Sequence, residues 1–146
     1  MKLTDLPPNL QRICTLWFRI QDSHRTLEKL TPEVVKHMYT DIMPVYTKKS
    51  GFILVREEYK LQACVTVNDE FQTNYEEQPE CIKNYCNELV MLTNAQEEFR
   101  NCENSTEILK ELHSLVDSTL KVKRKDRTLI LTHHAGKLEF KAGELW

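Results

Sequence analysis

Histidine and cysteine are the side chains of this sequence that could bind a transition metal. The candidate set is His24, His37, His113, His133, His134, Cys81, Cys86 and Cys102. Structural zinc sites usually contain two closely spaced ligand pairs such as Cys-x-x-Cys. Cys81 and Cys86 are five residues apart, which on a helix places them on different faces, and the adjacent His133 and His134 point to opposite sides of a strand. The spacing therefore predicts reduced cysteines and neither a metal nor a cofactor.

The motifs of common enzyme classes are absent from the sequence. A nucleophilic Ser or Cys needs a nearby base and an orienting acid, yet neither a nucleophile elbow nor His-Glu-x-x-His occurs. With 3 glycines in the chain, a glycine-rich loop for a nucleotide phosphate is not expected. Acidic residues form adjacent pairs such as Glu57-Glu58 and Glu97-Glu98, which is typical of solvent-exposed surface. We predict no catalytic residue, although an activity without a known motif stays open.

A dense group of positive charges lies around a predicted hairpin tip. This basic patch consists of Lys121, Lys123, Arg124, Lys125 and Arg127. Such a tip can follow a phosphate backbone or meet an acidic partner. It can also be the solvated face of a strand, where lysine discourages unwanted edge pairing. Because the net charge is −2 and no aromatic residue that could stack on a base flanks the tip, we favour the solvated strand, with nucleic-acid contact as the alternative.

The first predicted helix carries a broad apolar face. Leu10, Ile13, Cys14, Trp17 and Ile20 form this face, and Leu16 and Phe18 widen it. A face this broad requires neighbours on several sides. Trp17 and Phe18 are adjacent, so a small domain is expected to leave one of them for another protein. We predict that five residues of this helix bind a partner: Leu10, Ile13, Cys14, Trp17 and Phe18.

Two resemblances concern this N-terminal stretch. The pattern L-x-x-L-P-P-x-L-x-x-I from residue 3 to residue 13, followed by a helical segment at 30–39, resembles the opening of an F-box. Leu10-x-x-x-Cys14 is similar to an Elongin-binding box. Either resemblance implies a ubiquitin-ligase adaptor whose contact residues are drawn from Leu6, Pro7, Leu10, Ile13 and Cys14.

Periodicity predicts the elements that hold these residues. A helix is expected to begin near Asn9, after Pro7-Pro8. Thr31-Pro32-Glu33 has the form of a second helix start, with threonine as the cap, and Pro44 is expected to end that helix near Met43. The first part of the chain is therefore predicted to be a helical pair at about 9–43.

Strands and further helices are predicted after that pair. Residues 51–67 form a hairpin with its turn at 56–58, and 68–78 form a loop. A helix follows from Pro79 to about Phe99, and another is capped by Asn104 with Glu107. From Thr119 to Lys141 the apolar period changes to two, which predicts a three-stranded meander with turns at 125–126 and 135–136.

The predicted order of elements is ααββααβββ. It indicates an α+β fold, a five-stranded mostly antiparallel sheet packed with about four helices, in a single compact domain, 1–146. Phe52–Val55 and Leu138–Lys141 are its expected sheet edges. Two strands, helix and three strands in that order resemble the roadblock and longin type of small domain, which implies a scaffold role.

Bulk composition places the chain among ordinary globular proteins. It has 146 residues, of which 40% are hydrophobic and 29% charged. No apolar run reaches the roughly 18 residues of a membrane helix, and the first residues lack the apolar core of a signal peptide. We therefore expect an intracellular protein, cytoplasmic or nuclear, that does not enter a membrane. The predicted function is a non-enzymatic protein interaction module, an adaptor or subunit of a larger complex, present as a homodimer or heteromer.

Overall fold

The computed structural model describes residues 1–47, 50–67, 73–103, 106–115, 119–125, 127–134 and 137–143. Within them lie three α-helices: α1 (Pro8–His37), α2 (Glu80–Glu103) and α3 (Thr106–Leu115). Two short 3₁₀ turns, Leu3–Asp5 and Tyr75–Glu77, precede α1 and α2. The described strands are β1 (Ile42–Tyr46), β2 (Ser50–Glu57), β3 (Lys60–Val67), β4 (Thr119–Arg124), β5 (Arg127–His134) and β6 (Lys137–Gly143).

The predicted helical pair at 9–43 is wrong, because one helix runs from Pro8 to His37. Pro32 lies inside this helix. The hydroxyl of Thr31 donates to the carbonyl of Leu27 at 2.7 Å instead of capping a new helix. A threonine that bonds four residues back belongs to a continuous helix. The predicted start near Asn9 is confirmed to within one residue.

The predicted single five-stranded sheet is also wrong. The described strands form two separate three-stranded antiparallel sheets, in the orders β1-β2-β3 and β4-β5-β6. The additional strand is β1, which occupies residues that were predicted to end a helix. Because β1 pairs with β2, the segment Phe52–Val55 is central and not an edge, whereas Leu138–Lys141 belongs to an outer strand, as predicted. The resemblance to roadblock and longin domains required one five-stranded sheet and fails with it, while the α+β class is confirmed.

Some predicted features fall outside the described residues. These are the helix cap at Asn104, residues 68–72 of the predicted loop, and the turn residues Asp126, Ala135 and Gly136.

The chain divides into two compact units. Unit 1 comprises Met1–Gln21 and Thr93–Trp146, and unit 2 comprises Asp22–Leu92. Each unit contains one of the two sheets, and both α1 and α2 contribute residues to each unit. That residues 1–146 behave as one domain stays a prediction.

In unit 2, one face of its sheet is buried. Met43 and Val45 of β1 are directly opposite Leu54 and Phe52 of β2, and all four side chains are at most 1% exposed. Alternation along a strand places such residues on one face. The buried hydrophobic residues on the helices of the same unit are Leu27, Val34, Ile82, Tyr85, Cys86, Leu89 and Leu92.

In unit 1, the hydrophobic core joins the first turns of α1, helix α3 and the second sheet. Leu120 and Val122 of β4 are opposite Leu131 and Leu129 of β5, and all four are buried. The rest of this core cluster consists of Leu6, Leu10, Ile13, Cys14, Trp17, Phe18, Ile108 and Leu112. The period-two pattern from Thr119 onwards therefore gave the correct buried face. No helix in the described part of the chain is long and apolar enough to cross a membrane.

Candidate interaction surfaces

The five residues predicted to bind a partner all lie in the core of unit 1. Leu10, Ile13, Cys14 and Phe18 are fully buried, and Trp17 is 8% exposed. The rings of Trp17 and Phe18 pack edge to face at a centroid distance of 5.2 Å, so this fold buries both adjacent aromatics without a partner. A role of these residues in binding stays a prediction, and it requires that the core of unit 1 open.

Trp17 nevertheless contributes to the lining of a surface depression in unit 1. The depression has a volume of about 410 Å³, and Ile20, Gln96, Phe99 and Arg100 contribute to its lining. At 8% exposure, the indole offers a partner little area. The depression is therefore a weak candidate for binding.

The basic patch predicted at 121–127 is divided between the two faces of the second sheet. Arg124 and Arg127 are a directly opposite pair on the face that carries the buried leucines. Their guanidinium carbons lie 5.6 and 5.8 Å from the ring centroid of Phe18, within cation–π distance. Lys121 and Lys123 point to the other face and are exposed. The five charges therefore do not form one surface.

Lys141 and Lys2 also belong to that other face of the sheet. Lys121 is directly opposite Ile130, which is directly opposite Lys141. Lys2 forms an isolated parallel bridge with Lys123. All four lysines are exposed. We call the surface formed by Lys2, Lys121, Lys123 and Lys141 the lysine face. The sequence alone did not predict that Lys2 and Lys141 belong to it, because their positions depend on strand register.

The candidate metal ligands do not converge. Among the residues that the structure describes, no group of three or more His, Cys, Asp or Glu could hold a metal ion. His113 and His133 do meet edge to face, with ring centroids 4.8 Å apart. Nε2 of His133 is buried and has no hydrogen-bond partner among the described residues. The contact joins α3 to β5 and follows from packing that the sequence pattern did not indicate.

The cysteines are free thiols with different environments. Burial raises the pKa of Cys14 to about 12 and that of Cys86 to about 12. Burial also raises the pKa of Cys81, and the Glu33 carboxylate acts in the same direction. Cys64 is exposed on β3. A buried, protonated thiol is a poor nucleophile and a poor metal ligand, so Cys14 and Cys86 act as small core residues.

Among the described residues of unit 2, the three large apolar side chains with the highest exposed fractions lie at one end of its sheet. Tyr39 is 74% exposed, Ile42 61% and Tyr59 88%. Ile42 begins β1, and Tyr59 lies in the turn that joins β2 to β3. The backbone N–H of Arg56 donates to the carbonyl of Asp41 at 2.7 Å, which holds the start of β1 beside the end of β2.

Arg56 fixes the geometry at this end. One guanidinium nitrogen lies 2.8 Å from the carboxylate of Asp41, and another donates to the carbonyl of Val35 at 3.4 Å. Val35 lies in the last turn of α1, where carbonyl groups lack helical partners and a cation is favourable. A surface depression of about 580 Å³ lies here, lined by Asp41, Arg56, Glu57, Glu58, Tyr59 and Lys60. We call Tyr39, Ile42, Arg56 and Tyr59 together with this depression the tyrosine surface.

The sequence pattern did not predict the tyrosine surface, because it indicated a helix that ends near Met43 where β1 is found. Without β1, Ile42 appeared to be a core residue of a helical face, and Tyr59 appeared to begin an alternating strand. The informative signal was Tyr59 itself, an aromatic residue between charged neighbours directly after the predicted turn at 56–58.

Comparisons with protein-family models, with curated protein sequences and with solved structures each found no match to this chain.

Proposed function

We propose that this chain is a non-enzymatic protein interaction module that binds a partner protein through the tyrosine surface of unit 2. The observation that carries the proposal is the exposure of Tyr39, Ile42 and Tyr59 at one end of the first sheet. Large apolar side chains that cluster on a surface mark sites of association, whereas single exposed residues do not.

The residue types support a protein partner. Tyrosine and arginine are enriched among the residues that dominate binding energy, because each combines apolar area with hydrogen-bonding capacity. Arg56 is held by Asp41 and by the end of α1, so little conformational entropy is lost when a partner packs on it. The adjacent depression offers a pocket for one side chain of the partner.

The proposed setting is an intracellular adaptor or a subunit of a larger complex. All five cysteines are free, which suits a reducing compartment. The resemblance to ubiquitin-ligase adaptors implies contact through Leu6, Pro7, Leu10, Ile13 or Cys14. All of these except the half-buried Pro7 are buried in unit 1. The tyrosine surface needs no such opening, and we therefore prefer it.

The test compares variants of the full chain by affinity capture and mass spectrometry, followed by direct titration with each purified candidate partner. Tyr59→Ala combined with Ile42→Asp should lower the affinity by about 30-fold, which corresponds to the roughly 2 kcal/mol of a central interface residue. Met91→Ala, which changes a 52% exposed residue of unit 2 outside this surface, should leave the affinity unchanged.

Stability provides the control. Because the substituted side chains are exposed, both variants should keep the unfolding free energy within about 0.5 kcal/mol per substitution. A partner that binds the double variant as tightly as the wild type would contradict the proposal, as would a partner lost only in the Met91 variant.

A further inference from the structure

The lysine face in unit 1 carries several positive charges close together, although the chain as a whole is weakly acidic. Lys2, Lys121, Lys123 and Lys141 are exposed on one face of the β4-β5-β6 sheet, around Ile130. Among the described residues, the single carboxylate on this face is that of Glu139, which is directly opposite Thr132. The whole chain has a net charge of −2, so the positive field is local to this sheet.

Protection of a sheet edge does not explain Lys121 and Lys123. Lysine often occurs on outer strands because its charge discourages pairing with other chains. The outer side of β4 is already occupied, since the backbone N–H of Lys123 donates to the carbonyl of Met1 at 2.8 Å and Lys2 bridges to Lys123. The lysines of β4 therefore have no edge to protect at these positions.

We propose that the lysine face binds an acidic segment of a partner protein, with carboxylates beside Lys121, Lys123 and Lys141 and apolar or small side chains over Ile130. The charges are complementary, and neighbouring strands about 4.8 Å apart put the ammonium groups within reach of one extended segment. This surface is separate from the tyrosine surface, and the inference does not depend on the proposed function.

The residue types favour carboxylates over nucleic acid. Arginine pairs with carboxylate and phosphate alike through two parallel hydrogen bonds, and both arginines of the basic patch lie on the opposite face, over Phe18. The choice between the two ligands therefore depends on the groups that could stack on bases. No aromatic residue occupies the described part of the lysine face, so bases have nothing to stack on. A long polyanion would extend beyond this face and be repelled by the net negative charge of the rest of the chain. A short acidic segment interacts only with charges within the screening length of about 8–10 Å.

The test uses the full chain and three probes: a peptide of about 12 residues that alternates Glu and Ser, the same peptide with Gln for Glu, and a short duplex DNA. Binding is measured by fluorescence anisotropy at low salt and at about 0.15 M salt. We expect the Glu peptide to bind, the Gln peptide not to bind, and the affinity for the Glu peptide to fall as salt rises.

Charge variants locate the contact. Lys121→Glu with Lys141→Glu should weaken binding of the Glu peptide at least about 10-fold, because two attractions become repulsions. Lys121→Gln with Lys141→Gln should weaken it less. Lys29→Glu with Lys110→Glu makes the same change of net charge at two exposed lysines elsewhere and should retain most of the affinity.

A variant-independent measurement completes the test. Backbone amide signals of Thr128, Ile130 and Thr132 should shift on addition of the Glu peptide. Equal binding of the wild type and the Lys121/Lys141 variants, shifts confined to other residues, or no binding of the Glu peptide at low salt would each overturn the inference. Tighter, lysine-dependent binding of DNA than of the peptide would also overturn it and assign the face to nucleic acid.

Discussion

Arg124 and Arg127 have the same charge as the lysines next to them but a different function in the fold. Their position on the core side follows from strand alternation, since they share a face with Val122 and Leu129. That position could be predicted from the sequence once the strand boundaries were known. Their contact with Phe18 could not, because it joins the hairpin to a helix more than a hundred residues earlier. A count of charges along the sequence therefore overestimated the basic patch and omitted Lys2 and Lys141.

Glu111 performs a helix-capping function from a distant element. Its Oε1 accepts a hydrogen bond from the backbone N–H of Asn9 at 3.1 Å, although the two residues are 102 positions apart. Asn9 lies in the first turn of α1, where backbone N–H groups lack helical partners and a negative charge is favourable. Glu111 therefore connects α3 to the start of α1 within unit 1.

The first prediction is that Glu111→Ala lowers the unfolding free energy by about 1 kcal/mol, the usual cost of losing a helix cap. Glu111→Gln keeps an oxygen acceptor and should cost less. Urea unfolding followed by circular dichroism measures both. Glu97→Ala, an exposed change of the same type in α2, should have little effect; an equal loss in the Glu97 and Glu111 variants would show that the cap contributes nothing.

At the scale of elements, the α1 and β1 predictions were wrong for an identifiable physical reason. Val34, Val35, Met38, Ile42 and Val45 fit a helical face over a short stretch. Met43 and Val45 also fit a strand, and both are buried on one face of β1. A helical period of 3.6 and a strand period of 2 cannot be told apart over five residues. The predicted helix boundaries therefore depended on Pro32 and Pro44. Proline marks a helix start or stop only as a tendency, and here one proline lies inside α1 and the other in an outer strand.

Pro44 is compatible with β1 because β1 is an outer strand, where a missing backbone N–H can face the free edge. A side chain from another segment bonds to this free edge. The side-chain oxygen of Asn74 accepts from the backbone N–H of Tyr46 at 2.7 Å, and its amide nitrogen donates to the carbonyl of Pro44 at 3.2 Å. The backbone N–H of Asn74 also donates to the carbonyl of Tyr46 at 3.2 Å. Asn74 therefore takes the place of a neighbouring strand. Sequence reasoning placed this residue in a polar loop and gave it no function.

The second prediction is that Asn74→Ala lowers the unfolding free energy by about 1–2 kcal/mol, since it removes two side-chain hydrogen bonds to partly buried backbone groups. The Tyr46 amide should exchange with solvent faster. Asn74→Asp keeps the acceptor for Tyr46 and should protect that amide better than alanine does.

Asn84→Ala is the matched control, because Asn84 is exposed on α2 in the same unit. The interpretation of Asn74 would be wrong if the Tyr46 amide kept its full protection in the Asn74→Ala protein.

At the scale of the whole molecule, the chain repeats one arrangement. A helix followed by a three-stranded antiparallel meander occurs in α1 with β1-β2-β3 and again in α3 with β4-β5-β6. The second occurrence could be predicted from the sequence, because its strands alternate strictly between apolar and polar residues. The first could not, because β1 is short and contains a proline. Each unit nevertheless buries a cysteine, Cys14 in unit 1 and Cys86 in unit 2.

These two thiols predict how the stability of the whole chain depends on alkaline pH. Burial raises the pKa of each from the usual 9.0 to about 12. In the unfolded chain the thiols ionise above pH 9, while in the folded chain they stay protonated, so the folded state binds more protons between pH 9 and 12. The stabilisation is complete below pH 9 and is lost as the pH rises toward 12.

The third prediction is therefore a fall in the unfolding free energy above pH 9, by about 1.4 kcal/mol per pH unit for each buried thiol. Urea unfolding at several pH values between 8 and 11 measures the slope. Cys14→Ala and Cys86→Ala should each remove the contribution of one thiol to this slope. Each substitution also lowers the unfolding free energy at neutral pH, because it leaves a small cavity. Cys64→Ala removes an exposed thiol and should leave the slope unchanged. If the variant lacking both Cys14 and Cys86 kept the wild-type slope, other groups would be responsible for alkaline unfolding, and the two thiols would ionise equally in the folded and unfolded chain.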